Sequence, residues 1–402
     1  MKKFLALLLS LVMVLALVAC GDKKDDTNTD DQDNNEVTDF KVGFIMLHDE
    51  NSTYDLNFIN AAKEACETLG VEYTIVTNVP EGQECYDKAA ELADAGCNII
   101  FADSFGHEDY MIQAAKDFPD VQFCHSTGTK AHTEGLSNYH NAFASIYEGR
   151  YLAGIAAGMK LNEMIEAGKF TADEAKMGYV GAFTYAEVIS GYTSFYLGAK
   201  SVCPTVTMDV TFTGSWYDEA LEKEAANKLI AGGCKLISQH ADSMGAPTAC
   251  EQAGVPNVSY NGSTQSACPN TFIVSSRIDW TPYYEMVIKA VQDGTSLDSD
   301  WTGTLKTGSV VLTDVNEKVA AKGTAERAAE LLQLEQLAAE LQARSEEMQA
   351  QLLRTPRIVG PRRMLRAYPK LRHGSKLRSL PTLREMLHRA EQENKDDNKN
   401  TK

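Results

Sequence analysis

Four clusters of polar and aromatic residues hold the chemistry available to this chain, and each follows a short apolar run. The first is His48-Asp49-Glu50-Asn51-Ser52-Thr53-Tyr54-Asp55, whose hydroxyls and carboxylates can bind a ligand edge and can equally cap a helix. The second, Asp103-Ser104-Phe105-Gly106-His107-Glu108-Asp109, puts a hydroxyl and a ring at one edge, although a loop phenylalanine often serves only in packing. In Thr213-Gly214-Ser215-Trp216-Tyr217-Asp218 an indole follows a glycine turn, which offers either a flat stacking face or a packing group. The fourth is Gln239-His240-Ala241-Asp242-Ser243-Met244-Gly245. His240 and Asp242 have no nucleophile motif or metal-ligand spacing near them, which argues against a hydrolytic triad.

No strand is followed by Gly-x-Gly-x-x-Gly or Gly-x-x-x-x-Gly-Lys-Ser/Thr, so no dinucleotide or P-loop site is indicated. No cysteine pair has Cys-x-x-Cys spacing, which argues against a zinc or thioredoxin-like centre. The expectation is a binding cleft without turnover, with no cofactor and no metal.

Alternating elements must position these clusters. Apolar runs of strand length at 41–47, 71–76, 98–102 and 121–123 alternate with helical spacing at 57–69, 84–95 and 110–117. After a Gly- and Ala-rich helix at 147–166 the cycle restarts. Strands at 176–181, 205–211, 234–238 and 256–260 alternate with helices at 186–200, 217–231 and 246–253. A strand at 272–276 and a helix at 282–291 are read as returning to the first half. The fold class is α/β: two doubly wound parallel-sheet lobes, with a ligand cleft between them at the carboxyl ends of the strands. Lobe 1 is expected at 40–146 plus 272–322 and lobe 2 at 147–271.

The chain has 402 residues, 44% of them apolar and 23% charged, which suffices for two ordinary domains. Its net charge of −18 argues against a nucleic-acid partner. Residues 1–20 read as a secretory signal peptide: Lys2-Lys3, an apolar stretch too short to span a bilayer, then Leu17-Val18-Ala19-Cys20. That ending resembles the lipobox of bacterial lipoproteins, making Cys20 the expected acylated anchor to the membrane. Residues 21–39, nearly devoid of apolar side chains, are expected to form a disordered acidic stalk. The eight other cysteines lie mostly inside apolar runs, which favours buried free thiols over the disulfides that an extracytoplasmic location permits.

The composition changes at Gly323. Residues 1–322 carry 22 basic against 45 acidic residues and only two arginines, Arg150 and Arg277, whereas the last 80 carry 16 basic against 11 acidic and 11 arginines. Leu334, Leu337, Leu341 and Met348 suggest an amphipathic helix over 323–353, either a coiled-coil stripe or a face packed on the body. Residues 354–402, basic and interrupted by prolines, are expected to form a solvated tail. The abrupt change suggests a fusion, frameshift or assembly error near Gly323.

Five further stretches bear on identity: Tyr147-Glu148-Gly149-Arg150-Tyr151-Leu152-Ala153-Gly154, Gly214-Ser215-Trp216-Tyr217-Asp218, Gln239-His240-Ala241-Asp242-Ser243, Asp279-Trp280-Thr281-Pro282-Tyr283-Tyr284 and Asp300-Trp301-Thr302-Gly303. With them, residues from about 41 to 325 resemble the basic membrane protein family of ABC-transporter substrate-binding lipoproteins, in its purine and purine-nucleoside-binding group. The resemblance implies a type I periplasmic-binding-protein fold that captures a purine nucleobase or nucleoside for ABC permease subunits. On this chain it implies Trp216 stacking on the base, Asp242 and Asn261 reading its edge, and Asp49, Ser104 and Phe105 lining the other lobe. Ser52, Tyr54 and Trp280 complete the expected ligand-binding set. Purine-binding relatives tend to carry a Trp in the first loop, where this chain has Ser52 or Thr53 beside Tyr54, leaving room for a nucleoside or another planar heterocycle. The competing reading is an extracytoplasmic sensor that presents its ligand to a signalling partner through the helical tail. An enzyme such as a nucleoside hydrolase ranks below both, for want of a carboxylate cluster or an activated nucleophile.

Overall fold

Val42, Gly43, Phe44 and Ile45 are all buried in the first strand, the pattern of a parallel strand with helices on both faces. The computed structural model that contains it describes residues 40–333. Strands β1 (Lys41–Ile45), β2 (Glu72–Val76), β3 (Ile99–Ala102), β4 (Gln122–Ser126) and β5 (Tyr139–Ala144) alternate with helices α1 (Thr53–Leu69), α2 (Gln83–Asp94), α3 (Glu108–Asp117) and α4 (Ala131–Glu134). The long helix α5 (Ile146–Glu166) leads to β6 (Lys176–Gly181), α6 (Ala186–Val202), β7 (Thr207–Phe212), α7 (Glu219–Ala231), β8 (Leu236–His240), α8 (Gly245–Ala253), β9 (Asn257–Tyr260) and β10 (Phe272–Ile278). Helix α9 (Thr281–Gln292) and strands β11 (Asp300–Gly303) and β12 (Val310–Leu312) follow. A last helix, α10, covers residues 324–333.

The strands form two six-stranded sheets of the same winding, β2-β1-β3-β4-β5-β11 and β7-β6-β8-β9-β10-β12. All pairings are parallel except that of β10 with β12. In each lobe the order reverses beside the first strand, between β1 and β3 and between β6 and β8, so the strand ends there open a crevice. The two doubly wound lobes expected from the alternation are present.

The boundary between them differs from the sequence expectation. β10 and β12 belong to the second sheet, and only α9 and β11 return to the first. Phe272, Ile273 and Val274 are fully covered, and Asn257 N–H bonds the Thr271 carbonyl at 2.8 Å, so the run needs an interior place beside β9. The chain therefore crosses between lobes three times: from β5 into α5, from β10 into α9, and from β11 to β12. The crossings are tied together, Ser145 N–H to the Gly303 carbonyl at 2.8 Å and Asp279 N–H to the Ser309 carbonyl at 2.7 Å.

Helices α5 and α6 approach closely. A Cβ on Gly154 would lie 2.1 Å from the Phe195 carbonyl oxygen, and one on Gly198 would lie 2.0 Å from that of Tyr151, so both positions exclude any side chain. Helix α10 starts at Thr324, as its spacing suggests, and rests Leu331 and Leu332 against the core that contains Leu152 and Ile155. The signal peptide with Cys20, most of the stalk, Leu334 and the rest of the apolar stripe, and the basic tail lie outside the described residues.

All eight cysteines from Cys66 to Cys268 are buried free thiols. Burial pushes Cys66 and Cys124 up to about 12. Among the described residues no helix is long and apolar enough to cross a membrane.

Candidate ligand cleft

A cavity of about 380 Å³, including its mouth, lies between the lobes at the carboxyl ends of the strands. Lobe 1 lines it with Leu47, His48, Tyr54, Ser104, Phe105 and Thr127, and lobe 2 with Glu187, Trp216, Asp242 and Tyr260. The common winding explains part of this set. Ser104 and Asp242 each stand two residues past the end of the third strand of their lobe, β3 and β8. Such positions point out of the sheet edge into the crevice.

The aromatic groups gather at the mouth. Trp216 packs edge-on against Phe183, with ring centroids 5.1 Å apart, and lies 5.8 Å from Tyr185. Phe105 reaches across from lobe 1 to Tyr185 at 5.3 Å, and His48 meets Tyr217 at 5.4 Å. Phe105 is 43% exposed, so its face is not spent on the core. A flat ligand between these faces would gain apolar area and the preferred offset geometry of ring pairs.

Deeper in, the wall is rich in acceptors. The Glu187 carboxylate accepts from the Tyr260 hydroxyl at 3.5 Å and lies 3.9 Å from His240 Nε2. Burial pushes Glu187 up to about 7, a rise that the Tyr260 bond opposes. Asp242 is raised well above the usual carboxylate range by burial and by the charges of Asp55, Glu222 and Glu187. His240, stacked on Tyr260 at 3.9 Å, is driven well below its ordinary value by burial and by Arg150. Arg150 is itself fully buried in α5, bonding the Ser259 carbonyl at 2.8 Å and the Ser238 hydroxyl, with its guanidinium 4.8 Å from the Phe195 ring centre. Its charge is held by dipoles and ring faces.

In lobe 1, Asp55 is the hub. Its carboxylate accepts from His48 N–H at 2.7 Å and from the Ser52 hydroxyl at 2.6 Å, and His48 Nδ1 stands 3.3 Å away. Burial alone would raise Asp55, but these bonds hold it low; the neighbouring Asp103 is raised well above its usual range by burial and by the Asp55 charge. Ser, Asp and His are thus together in the wrong order for a hydrolytic triad, because the serine bonds the carboxylate and not the imidazole. Among the described residues no group of three or more His, Cys, Asp or Glu side chains could hold a metal ion.

Five of the nine ligand-binding residues named from the sequence reach the cavity: Tyr54, Ser104, Phe105, Trp216 and Asp242. Four do not. Ser52 is fully buried as the N-cap of α1 and bonded to Asp55, the capping alternative. Asp49 binds the backbone and side chain of Asn51 at 3.0 and 2.8 Å, outside the wall. Asn261 is buried one residue past the wall residue Tyr260, and its side-chain polar atoms have no hydrogen-bond partner. Trp280 is corrected to a core residue: it is fully buried and stacks on Phe58 with centroids 4.7 Å apart. A sequence match identifies a retained residue without saying which way it faces.

Of the other five wall residues, His48 stood in the first cluster without being named for the site, and Leu47, Thr127, Glu187 and Tyr260 were missed. Glu187 stands in the first turn of α6, after β6, a strand end that the four-cluster reading passed over. Thr127 follows β4, which runs to Ser126 rather than stopping at 123. Extending β4 to its full length would have exposed Thr127, and inspecting the end of β6, a strand read at its full length, would have exposed Glu187.

Comparison with known proteins agrees with this fold. Residues 43–338 match a family model described as "ABC transporter substrate-binding protein PnrA-like". A purine-binding protein of Brucella abortus is 36% identical over 260 residues, covering 63% of this chain and 69% of the relative. A putative ABC transporter glucose-binding protein of Haloferax volcanii is 32% identical over 280 residues, covering 69% and 65% respectively. The chain thus spans about two thirds of the length of these relatives. The solved structure of an ABC transporter solute-binding protein from Conexibacter woesei superposes with a TM-score of 0.61 at 21% identity, over 75% of this chain and 97% of that one, which supports the fold. The chain belongs to the PnrA-like, or Bmp, family of ABC transporter substrate-binding proteins.

Proposed function

We propose that this protein captures a purine nucleobase or nucleoside outside the cytoplasm, tethered to the membrane through acylated Cys20, and delivers it to the permease of an ABC importer. The observation that carries the ligand class is the pairing of aromatic faces at Trp216, Phe105 and Tyr185 with the acceptor wall of Asp242 and Glu187. A planar base stacks on the former and presents N–H donors to the latter, and a competitor lacking those donors would leave buried acceptors unpaired, at about 1–3 kcal/mol each. The purine-binding name of the Brucella relative supports the same class.

Carboxylates beside aromatic rings also suit a sugar, and the Haloferax relative is named for glucose. A thermal-shift panel of adenine, guanine, adenosine, guanosine, inosine, riboflavin and glucose on residues 22–402 separates the two, since a ligand at a hundred times its Kd stabilises by about 2.7 kcal/mol. A shift with purines alone supports the proposal; a shift with glucose alone overturns it. The anchor is tested by labelling with radioactive palmitate in a bacterial host, where Cys20→Ser should lose the label and the membrane fraction.

A further inference from the structure

The two lobes repeat an unusual turn. Thr127 after β4 and Asn261 after β9 both hold left-handed backbone, at φ of 71° and 59°. Each donates its N–H to the next strand outward, Thr127 to the Ala142 carbonyl at 2.7 Å and Asn261 to that of Ser276 at 2.8 Å, and each is followed by glycine. Asparagine enters this region readily; a β-branched threonine does so against steric strain.

Thr127 bears a second cost. The residue lines the cavity, it is only 5% exposed, and its Oγ1 has no hydrogen-bond partner. The other two lobe 1 hydroxyls on the wall are engaged: Tyr54 donates to the Asp103 carbonyl at 2.7 Å and Ser104 to Glu81 at 2.5 Å. Strain and a desolvated hydroxyl at one residue are retained where something outside the fold completes it.

We propose that the Thr127 hydroxyl is the specificity-determining contact of lobe 1, bonding a heteroatom on the ligand edge that faces away from Asp242 and Glu187. The class of ligand rests on the purine reading above; the role of Thr127 rests on the turn.

The test uses Thr127→Val, which keeps the branched shape and removes the hydroxyl, and Thr127→Ser, which keeps it. In the unliganded protein Thr127→Val should melt at or above the wild-type midpoint, because a partnerless buried hydroxyl is replaced by a methyl group. Its affinity for whichever purine stabilises the wild type should fall roughly tenfold or more, with Thr127→Ser within about threefold of wild type. A Thr127→Val midpoint below wild type, as expected if the hydroxyl holds a structural water, overturns the proposal, and so does unchanged affinity. A wild type that binds glucose and no purine removes the ligand class alone, and the same two variants are then read with glucose.

Discussion

The backbone N–H of Thr53, first residue of α1 in lobe 1, donates to the carbonyl of Asp242 in lobe 2 at 3.0 Å, and the Thr53 hydroxyl reaches the same oxygen at 3.3 Å. Asp242 therefore faces the cavity with its side chain and latches the lobes with its backbone. Proline is tolerated at a first helical position, and Ser52 already has the extended backbone (ψ 126°) that a following proline requires. Thr53→Pro should leave the unliganded melting midpoint within a few degrees of wild type, remove the latch and raise ligand koff several-fold. Stopped-flow dissociation read by Trp216 fluorescence checks this, and an unchanged koff would show that the latch does not hold the closed form.

Trp216→Ala should weaken binding of a purine by about 10- to 100-fold, in keeping with the roughly 1–3 kcal/mol that base stacking on an aromatic is worth. Trp216 is half-buried at the mouth, so stability should change little. Isothermal titration of both proteins with the same purine decides it; equal affinities would remove stacking from the account.

Glu187 gives binding-independent stability a pH signature. Its folded value of about 7 lies above the ordinary 4.5, so the fold favours the protonated form. The stability that Glu187 contributes is full below 4.5 and is lost as pH rises through 7. Glu187→Gln stays neutral throughout, so the variant should match wild type near pH 4.5 and exceed it above pH 7, by an amount on the order of 1–3 kcal/mol. Denaturant melts across this range measure the difference, in which the other titrating groups cancel; a constant offset would mean that the carboxyl is not desolvated.

The eight cysteines should be silent toward a thiol reagent in the native protein and all react in denaturant. Each is buried, and burial raises thiols such as Cys66 and Cys124 to about 12, far from the thiolate that reacts. Rapid labelling of any one in the folded state would locate a local opening. Fewer than eight in denaturant would reveal a disulfide.

Much of the architecture was legible because apolar runs of strand length alternate with helical spacing. β5 escaped notice because His140 and Asn141 interrupt its apolar pattern; their side chains bond Asp298 and Ala131, contacts invisible along the chain. β11 and β12 are short edge strands, Asp300-Trp301-Thr302-Gly303 and Val310-Val311-Leu312, and their placement in different sheets depends on the crossings rather than on local preference. The site was half-legible for a related reason. Strand ends point to the cleft, but only packing distinguishes Trp216, which stays at the mouth, from Trp280, which is consumed by Phe58 in the core.

The contact of α5 with α6 through Gly154 and Gly198 bears on how the molecule opens. With the Tyr151 and Phe195 carbonyls pressed against those glycines, Arg150 bonded to Ser238 and Ser259, and Gly149 against Ser276 and Val310, α5 from Gly149 onward is held to lobe 2, although its first turn emerges from lobe 1. The stretch of this crossing between β5 and that hold is short, from Ser145 to Glu148, beside the Ser145–Gly303 and Asp279–Ser309 ties of its neighbours. Such a narrow spine turns like that of a book. A small rotation there would be magnified along the length of each cover, which makes the distance between the two outer edges the coordinate most sensitive to it.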